Sequence, residues 1–278
     1  MKFMTINIHS HDREFDEAVL ISSMERLASF VKENGVDVLA LQEASQEMNR
    51  PFVSGALPGH CVIRDAEHSV REGNAALVLA KMLEKTGESW YWAWAGTKLG
   101  YERFEEGLAL FSRKKMENAE SFWISGIRDF NNWKSRKALR ADIVSDTERC
   151  QIYSVHMGWW NDPEEQFKGQ MERLQAMMPD NRTVYLMGDF NSPAGVKGEG
   201  WQMVKDLGWH DTYELAEDKD DGITVPGSID GWRDGDYDGM RLDYIWCSEA
   251  QPVQRSKVVL NGRNGPVISD HFGVLIEQ

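Results

Sequence analysis

Apolar positions along the chain recur mostly at strand spacing. Lys2–Ile8 reads as a strand, with Phe3, Thr5, Ile6 and Ile8 favouring extended backbone. Residues 15–34 then place Phe15, Ala18, Val19, Ser22, Leu27, Ala28 and Val31 at helical spacing, with Asn34-Gly35 as the stop. Apolar or alternating runs of strand length follow at Val36–Leu41, Ala75–Ala80, Gly107–Ser112, Ala141–Ser145, Gln151–His156, Thr183–Met187, Leu242–Trp246, Gln254–Leu260 and His271–Ile276. Trp90, Trp92 and Trp94 alternate as they would on a strand with one aromatic face in the core. A second helix is predicted from Asp162, an N-cap with Pro163 behind it, through Phe167, Met171, Leu174 and Met178 to Pro179. A shorter helix is predicted at Gly200–Leu207, and residues 211–238 read as a long acidic loop. Many strands and few helices, with no linker or repeat, predict one domain over 1–278: two packed sheets flanked by helices.

Composition narrows the class. With 41% hydrophobic and 27% charged residues in 278, the chain can bury a large core and is not disordered. It contains no run of about 18 apolar residues for a membrane helix. The first residues lack a signal-peptide apolar region, and Cys61, Cys150 and Cys247 are odd in number and scattered. A cytoplasmic protein with reduced thiols is expected. The net charge of −14 argues against a surface built to hold long nucleic acid. Much of it is local, because residues 211–238 carry ten acidic side chains against Lys219 and Arg233. That placement repels a polyanion lying across one edge and leaves a small phosphoester free to approach.

The chemistry gathers where strands end. Asn7 closes the first run and Glu43 follows the second; His156 ends Tyr153-Ser154-Val155-His156. Asp189 and Asn191 close Gly188-Asp189-Phe190-Asn191, Asp243 lies in Arg241-Leu242-Asp243-Tyr244, and Asp270-His271 lies in Ser269-Asp270-His271. One such residue is an ordinary turn former or a structural histidine. The whole set at apolar strand ends is different: carboxylates and amides are hard oxygen donors that suit Mg²⁺ or Mn²⁺.

In this order the residues resemble the endonuclease/exonuclease/phosphatase superfamily. The resemblance runs from Asn7 to His271 and implies a DNase I-like, four-layered α/β sandwich that hydrolyses phosphoesters with Mg²⁺. It further implies Asn7, Glu43 and Asp270 as metal ligands. Asp189 would orient or deprotonate the attacking water with Asn191, and His271, oriented by Asp243, would contact the phosphate opposite His156.

The superfamily does not settle the substrate. Basic clusters are few, at Arg113–Lys115 and Lys134–Arg140, so duplex nucleic acid is disfavoured. Trp159-Trp160 directly follow His156-Met157-Gly158, and Trp232 precedes the Asp243 strand; Trp faces near a phosphate site suit a sugar ring. Gly100–Leu110, Trp133–Lys137, Gly158–Pro163 and Thr224–Arg233 resemble the bacterial maltose 6′-phosphate phosphatase branch. That implies a small phosphorylated carbohydrate as partner, with Lys134, Arg136 and Lys137 toward the phosphate and Trp159, Trp160 and Trp232 along the sugar. The alternatives are a metal-dependent nuclease of the exonuclease III/DNase I type and a non-catalytic binding module that kept the fold.

Overall fold

The computed structural model describes residues 1–62, 69–145, 149–179, 181–229, 232 and 239–278. The chain begins with β1 (Lys2–Asn7), α1 (Glu17–Glu33), β2 (Val38–Gln42), β3 (Gln46–Glu47), β4 (His60–Cys61) and α2 (Ala75–Lys85). The long strands β5 (Tyr91–Gly100), β6 (Phe104–Ser112), β7 (Lys115–Trp123), β8 (Lys137–Val144) and β9 (Arg149–His156) follow. Then come α3 (Phe167–Ala176), β10 (Thr183–Asp189), α4 (Gly200–Asp206), β11 (His210–Asp211), α5 (Thr212–Leu215) and β12 (Ala216–Lys219). The chain closes with β13 (Asp243–Cys247), β14 (Val253–Val259) and β15 (Gly273–Glu277).

These strands form two sheets. One has the order β12-β14-β15-β1-β2-β6-β5-β4, with β3 on β6; the other has the order β11-β13-β10-β9-β8-β7. Side-chain alternation assigns each strand two faces. Met4, Ile6, Leu39 and Leu41 pack outward against α1 and α2, in a core that also holds Trp92 and Trp94. Phe3, Val38 and Ala40 point inward and meet Ala141, Ile152, Met187 and Ile245 of the second sheet. Val155, Leu186, Tyr244 and Trp246 face the other way, onto α3 and α4. The result is the four-layered sandwich, helices outside and sheets within. No helix among the described residues is long and apolar enough to cross a membrane.

Three expectations are corrected. Ala75–Ala80 is the start of a helix, not a strand. Asn74 caps it by accepting from Leu77 N at 3.0 Å, and the run is Ala/Leu-rich, which favours helix once a cap is present. The second helix begins at Phe167. Asp162 instead closes a separate turn, accepting from the Glu164 and Glu165 amides at 2.9 Å each. The acidic 211–238 segment is not all loop, since it contains α5 and the edge strand β12. There Asp218 pairs with Arg255 and Lys257 of β14, so cross-strand charge offsets its acidity. The rest of that segment includes residues 230, 231 and 233–238, which lie outside the described residues, as do Asp230, Gly231 and Arg233 of the Thr224–Arg233 motif.

The sheets are tied together by polar contacts just beneath the strand ends. Thr5 Oγ1 donates to Gln42 Oε1 at 3.2 Å, and Gln42 Nε2 donates across to Ser154 Oγ at 3.0 Å. Gly188 lies beside this tie with φ +148°; a Cβ there would sit 2.0 Å from Val155 O and 3.0 Å from Gln42 Nε2. Gly188→Ala is therefore expected to cost about 3 kcal/mol or more, read as a lower urea midpoint, because neither the backbone carbonyl nor the tie can yield. An unchanged midpoint would contradict this account of the tie.

Candidate active site

Strand parity gathers the site. In β1, β2, β9, β10 and β13 the inward-facing series ends in Asn7, Gln42, His156, Asp189 and Asp243. Register aligns them: Asn7 pairs with Gln42, and Asp189 pairs with both His156 and Asp243. The inter-sheet apolar core thus gives way to a polar floor at one end of the sandwich. A cleft of about 520 Å³ opens over it.

The contacts are specific. Asn7 Nδ2 donates to Glu43 Oε1 at 2.9 Å and to Asp189 Oδ2 at 3.2 Å. His9 Nδ1 lies 3.0 Å from Glu43 Oε2. His271 Nδ1 lies 2.9 Å from Asp243 Oδ2, while its Nε2 lies 3.8 Å from Asp189 Oδ2. His156 Nε2 approaches the same oxygen at 3.6 Å, so two imidazoles flank Asp189. Asn191, with φ 45°, donates its own N–H to Asp189 Oδ1 at 2.8 Å and its amide to Met157 O at 3.0 Å. Ser269 Oγ donates to Asn7 O at 2.7 Å, which brings Asp270 to the cleft wall.

Protonation follows from these neighbours. Burial alone would lower His271, but the charges of Asp243 and Asp189 and the Asp243 hydrogen bond override it and raise the pKa to about 10. Asp243 is itself raised by its burial, against the pull of His271, so the pair holds one proton firmly. Burial would likewise lower His9, yet its hydrogen bond to Glu43 raises it to about 9. Glu43, which burial would push up, is held well below the usual carboxylate range by His9, His156 and Asn7.

Four residues the strand-end pattern did not single out complete the site. Glu106 on β6 lies 3.5 Å from His156 Nδ1 and 3.1 Å from Lys98 Nζ. Lys98 reaches the inward face because β5 shifts register between Gly96 and Lys98, a bulge that swaps the facing of every residue after it. Gly96, an isolated glycine inside the strand, is the local mark of that bulge. His9 could have been found as the second residue after Asn7. Trp133, half-exposed, meets Trp159 edge-on with ring centroids 5.7 Å apart on the cleft wall.

The expected substrate residues divide. Arg136 and Trp159 line the cleft, with the Arg136 guanidinium 6.0 Å over the Trp159 ring. Arg136 Nε and Trp159 Nε1 are buried with no hydrogen-bond partner among the described residues. Trp232 touches the site through its indole N–H, which donates to Asn191 Oδ1 at 3.2 Å. Lys134 turns away to Asp162 at 2.9 Å and Glu164 at 3.3 Å. Lys137 lies over the Trp123 ring and Trp160 packs on Phe167, and neither borders the cleft.

The donor chemistry fits a hard divalent cation. Glu43, Asn7, Asp189 and Asp270 offer oxygen donors, and no cysteine borders the cleft among the described residues. Asp189, Asp243 and His271 also present donor atoms within 4.8 Å of one another. In that trio His271 Nδ1 is already engaged by Asp243 Oδ2 at 2.9 Å, so the two side chains form an acid–base pair.

The two sheets deliver carboxylates, amides and imidazoles to one cleft, a donor set suited to metal-assisted phosphoester hydrolysis. The model of the Endonuclease/Exonuclease/phosphatase family matches residues 4–271, and the chain belongs to that family, whose enzymes generally depend on a divalent metal. The chain is similar to a family protein from Leptotrichia buccalis C-1013-b, at 31% identity and a TM-score of 0.86 over 100% of this chain and 98% of that one. It shares its fold with the Bacteroides thetaiotaomicron mannosyl-6-phosphatase Bt3783 (16% identity, TM-score 0.64, 100% and 98% covered). TDP2 from C. elegans shares the fold as well (16%, 0.58, 99% and 74%). No curated protein matches.

The Glu106 contacts yield a test. Glu106→Ala would leave Lys98 buried without its carboxylate and is expected to cost about 3–5 kcal/mol in chemical denaturation. The apolar pair Lys98→Met/Glu106→Leu is expected to recover most of that loss. Equal destabilisation of the single and the double variant would show that the ion pair is not what matters.

Proposed function

We infer that this protein is a Mg²⁺-dependent phosphomonoesterase acting on a small phosphorylated carbohydrate of the maltose 6′-phosphate type, with Mn²⁺ as a substitute ion. The observation that carries the reading is the shape and charge of the cleft: a walled pocket with an aromatic side at Trp133 and Trp159 and the single guanidinium of Arg136 beside it. A duplex needs a row of cations along an open track, to offset successive phosphates. A terminal phosphate needs only one anion-binding spot. The mannosyl-6-phosphatase among the fold relatives is consistent with a sugar phosphate.

Glu43, Asn7 and Asp270 would hold the metal, which when bound supplies positive charge to the non-bridging phosphate oxygens. Asp189, fixed by Asn7 and the Asn191 amide, takes a proton from the attacking water. That water displaces the sugar oxygen in line. His271, held protonated by Asp243, donates to a non-bridging oxygen from one side; His156, backed by Glu106, does so from the other. Arg136 takes the remaining phosphate charge and Trp159 the sugar face, while Trp232 acts through Asn191. Lys134, Lys137 and Trp160 have no part in this scheme because their side chains are engaged elsewhere.

The cytoplasm is the compartment that suits this chemistry. Cys61, Cys150 and Cys247 form no disulfide, and burial pushes the Cys61 thiol up to about 12, which makes it inert.

A phosphate-release panel with added Mg²⁺ tests the reading: maltose 6′-phosphate, glucose 6-phosphate, nucleotides, inositol phosphates and nicked plasmid. Release from sugar phosphates with intact plasmid is expected, with loss of turnover on chelation. Asp189→Ala and His271→Ala should each lower kcat by about 10³-fold or more while the melting transition stays cooperative. Plasmid degradation without phosphate release would point to the nuclease, and inactivity on every substrate to a binding module.

A further inference from the structure

Glu43 faces the cleft against the alternation of its strand. In β2, Leu41 packs outward against the helices and Gln42 points inward to Ser154, so a continued strand would send residue 43 outward again. Glu43 instead has φ 50°, a left-handed conformation, and its carboxylate turns back to Asn7 and His9. Such a backbone is unfavourable for a glutamate and persists only where its surroundings over-determine it. The loop that follows β1 supplies the constraint.

Ser10 gives the Glu43 carbonyl its two close donors. Its N–H reaches Glu43 O at 3.2 Å and its hydroxyl does so at 2.7 Å, while Ser45 Oγ adds a longer contact at 3.4 Å. The same hydroxyl accepts from Ser45 N at 2.8 Å and lies 2.8 Å from His11 Nδ1. A hydroxyl has one proton and two lone pairs. With its proton on Glu43 O and one lone pair taken by the Ser45 N–H, His11 must donate to it from Nδ1. Ala44 is fixed separately: its N–H donates to Gly107 O at 2.9 Å, and its carbonyl accepts from Trp94 Nε1 at 2.6 Å. Ser10 therefore holds Glu43 itself.

His11 keeps its place against a penalty. It is buried and stacked on Phe15, with ring centroids 4.1 Å apart, and its Nε2 has no hydrogen-bond partner among the described residues. Burial, with Arg103 and Arg50 nearby and against the pull of Glu47, lowers its pKa to about 3, so the ring is neutral and carries one proton. A phenylalanine would make the same stack without burying a bare nitrogen lone pair. What the imidazole adds is the Nδ1–H that keeps the Ser10 hydroxyl aimed at Glu43 O. In the other tautomer the hydroxyl would swing to Nδ1 and release the carbonyl. We propose that Ser10, oriented by His11, is a positioning residue that locks the left-handed backbone of Glu43 and so preorganises the divalent-cation site. This rests on the reading of Glu43 as a metal ligand.

Mn²⁺ titration of the full chain, followed by the electron paramagnetic resonance of the free ion, tests this without turnover. Ser10→Ala is expected to raise the Mn²⁺ Kd about tenfold, as loss of a group that orients a ligand does. His11→Phe keeps the stack and removes the bare nitrogen, so its melting temperature should not fall, yet its Mn²⁺ Kd should rise about threefold. Ser10→Thr, which keeps the hydroxyl, should bind within about twofold of wild type. The Mg²⁺ concentration for half-maximal phosphate release should move by the same factors. A purely structural role would lower the melting temperature and leave Mn²⁺ affinity alone. Wild-type affinity in Ser10→Ala or in His11→Phe, with binding lost in Glu43→Gln, overturns the proposal and leaves the metal site standing. Wild-type affinity in Glu43→Gln overturns the metal assignment and the proposal with it.

Discussion

Four carboxylates, those of Glu43, Glu106, Asp189 and Asp243, crowd the end of the gap between the sheets, and the site depends on keeping them there. Two like charges 4 Å apart repel by about 4 kcal/mol at the effective dielectric of a protein surface. The structure matches each one individually. Glu43 is held by Asn7 and His9, Glu106 by Lys98 and His156, Asp243 by His271, and Asp189 by two amides between two imidazoles. The cations are spread through the cluster rather than gathered in one block.

Such a cluster cannot be assembled by one strand. Parallel pairing of β1 with β2 and of β9 with β10 ends all four strands at the same level, and β13 runs antiparallel so that it starts there. The inward face of each strand is apolar along its length and polar at its last or first residue. Burial of that face pulls the two sheets together, and the polar ends follow. The Thr5–Gln42–Ser154 tie marks the boundary between the dry core and the site. Three left-handed residues, His9, Glu43 and Asn191, lie on the wet side of that boundary, where His9 meets Glu43 and Asn191 meets Asp189.

The fold was largely legible, because strand alternation and helix periodicity are local signals. Where the reading failed, a cap or a partner decided the outcome. Ala75–Ala80 has the length and apolarity of a strand, and only the Asn74 cap and the continuation through Leu83 make it a helix. Asp162 has the composition of a cap but spends its carboxylate on a turn and on Lys134. The acidic stretch at Ala216–Lys219 carries no strand signal and becomes one by pairing its backbone with β14, where Arg255 and Lys257 lie beside Asp218.

Within the cleft the same division holds. Residue types at strand ends are a property of the chain, so Asn7, Glu43, His156, Asp189, Asn191, Asp243, Asp270 and His271 could be named together before any coordinate, and with them the family. Lys98 and Glu106 could not, since their meeting requires a bulge in one strand and the pairing of another. Nor could sequence separate Arg136, which enters the cleft, from Lys134 and Lys137, its neighbours in the same basic run, which do not. A charge shows its sign in the sequence, but its direction depends on which partner lies within reach, and that is decided only when distant segments pack.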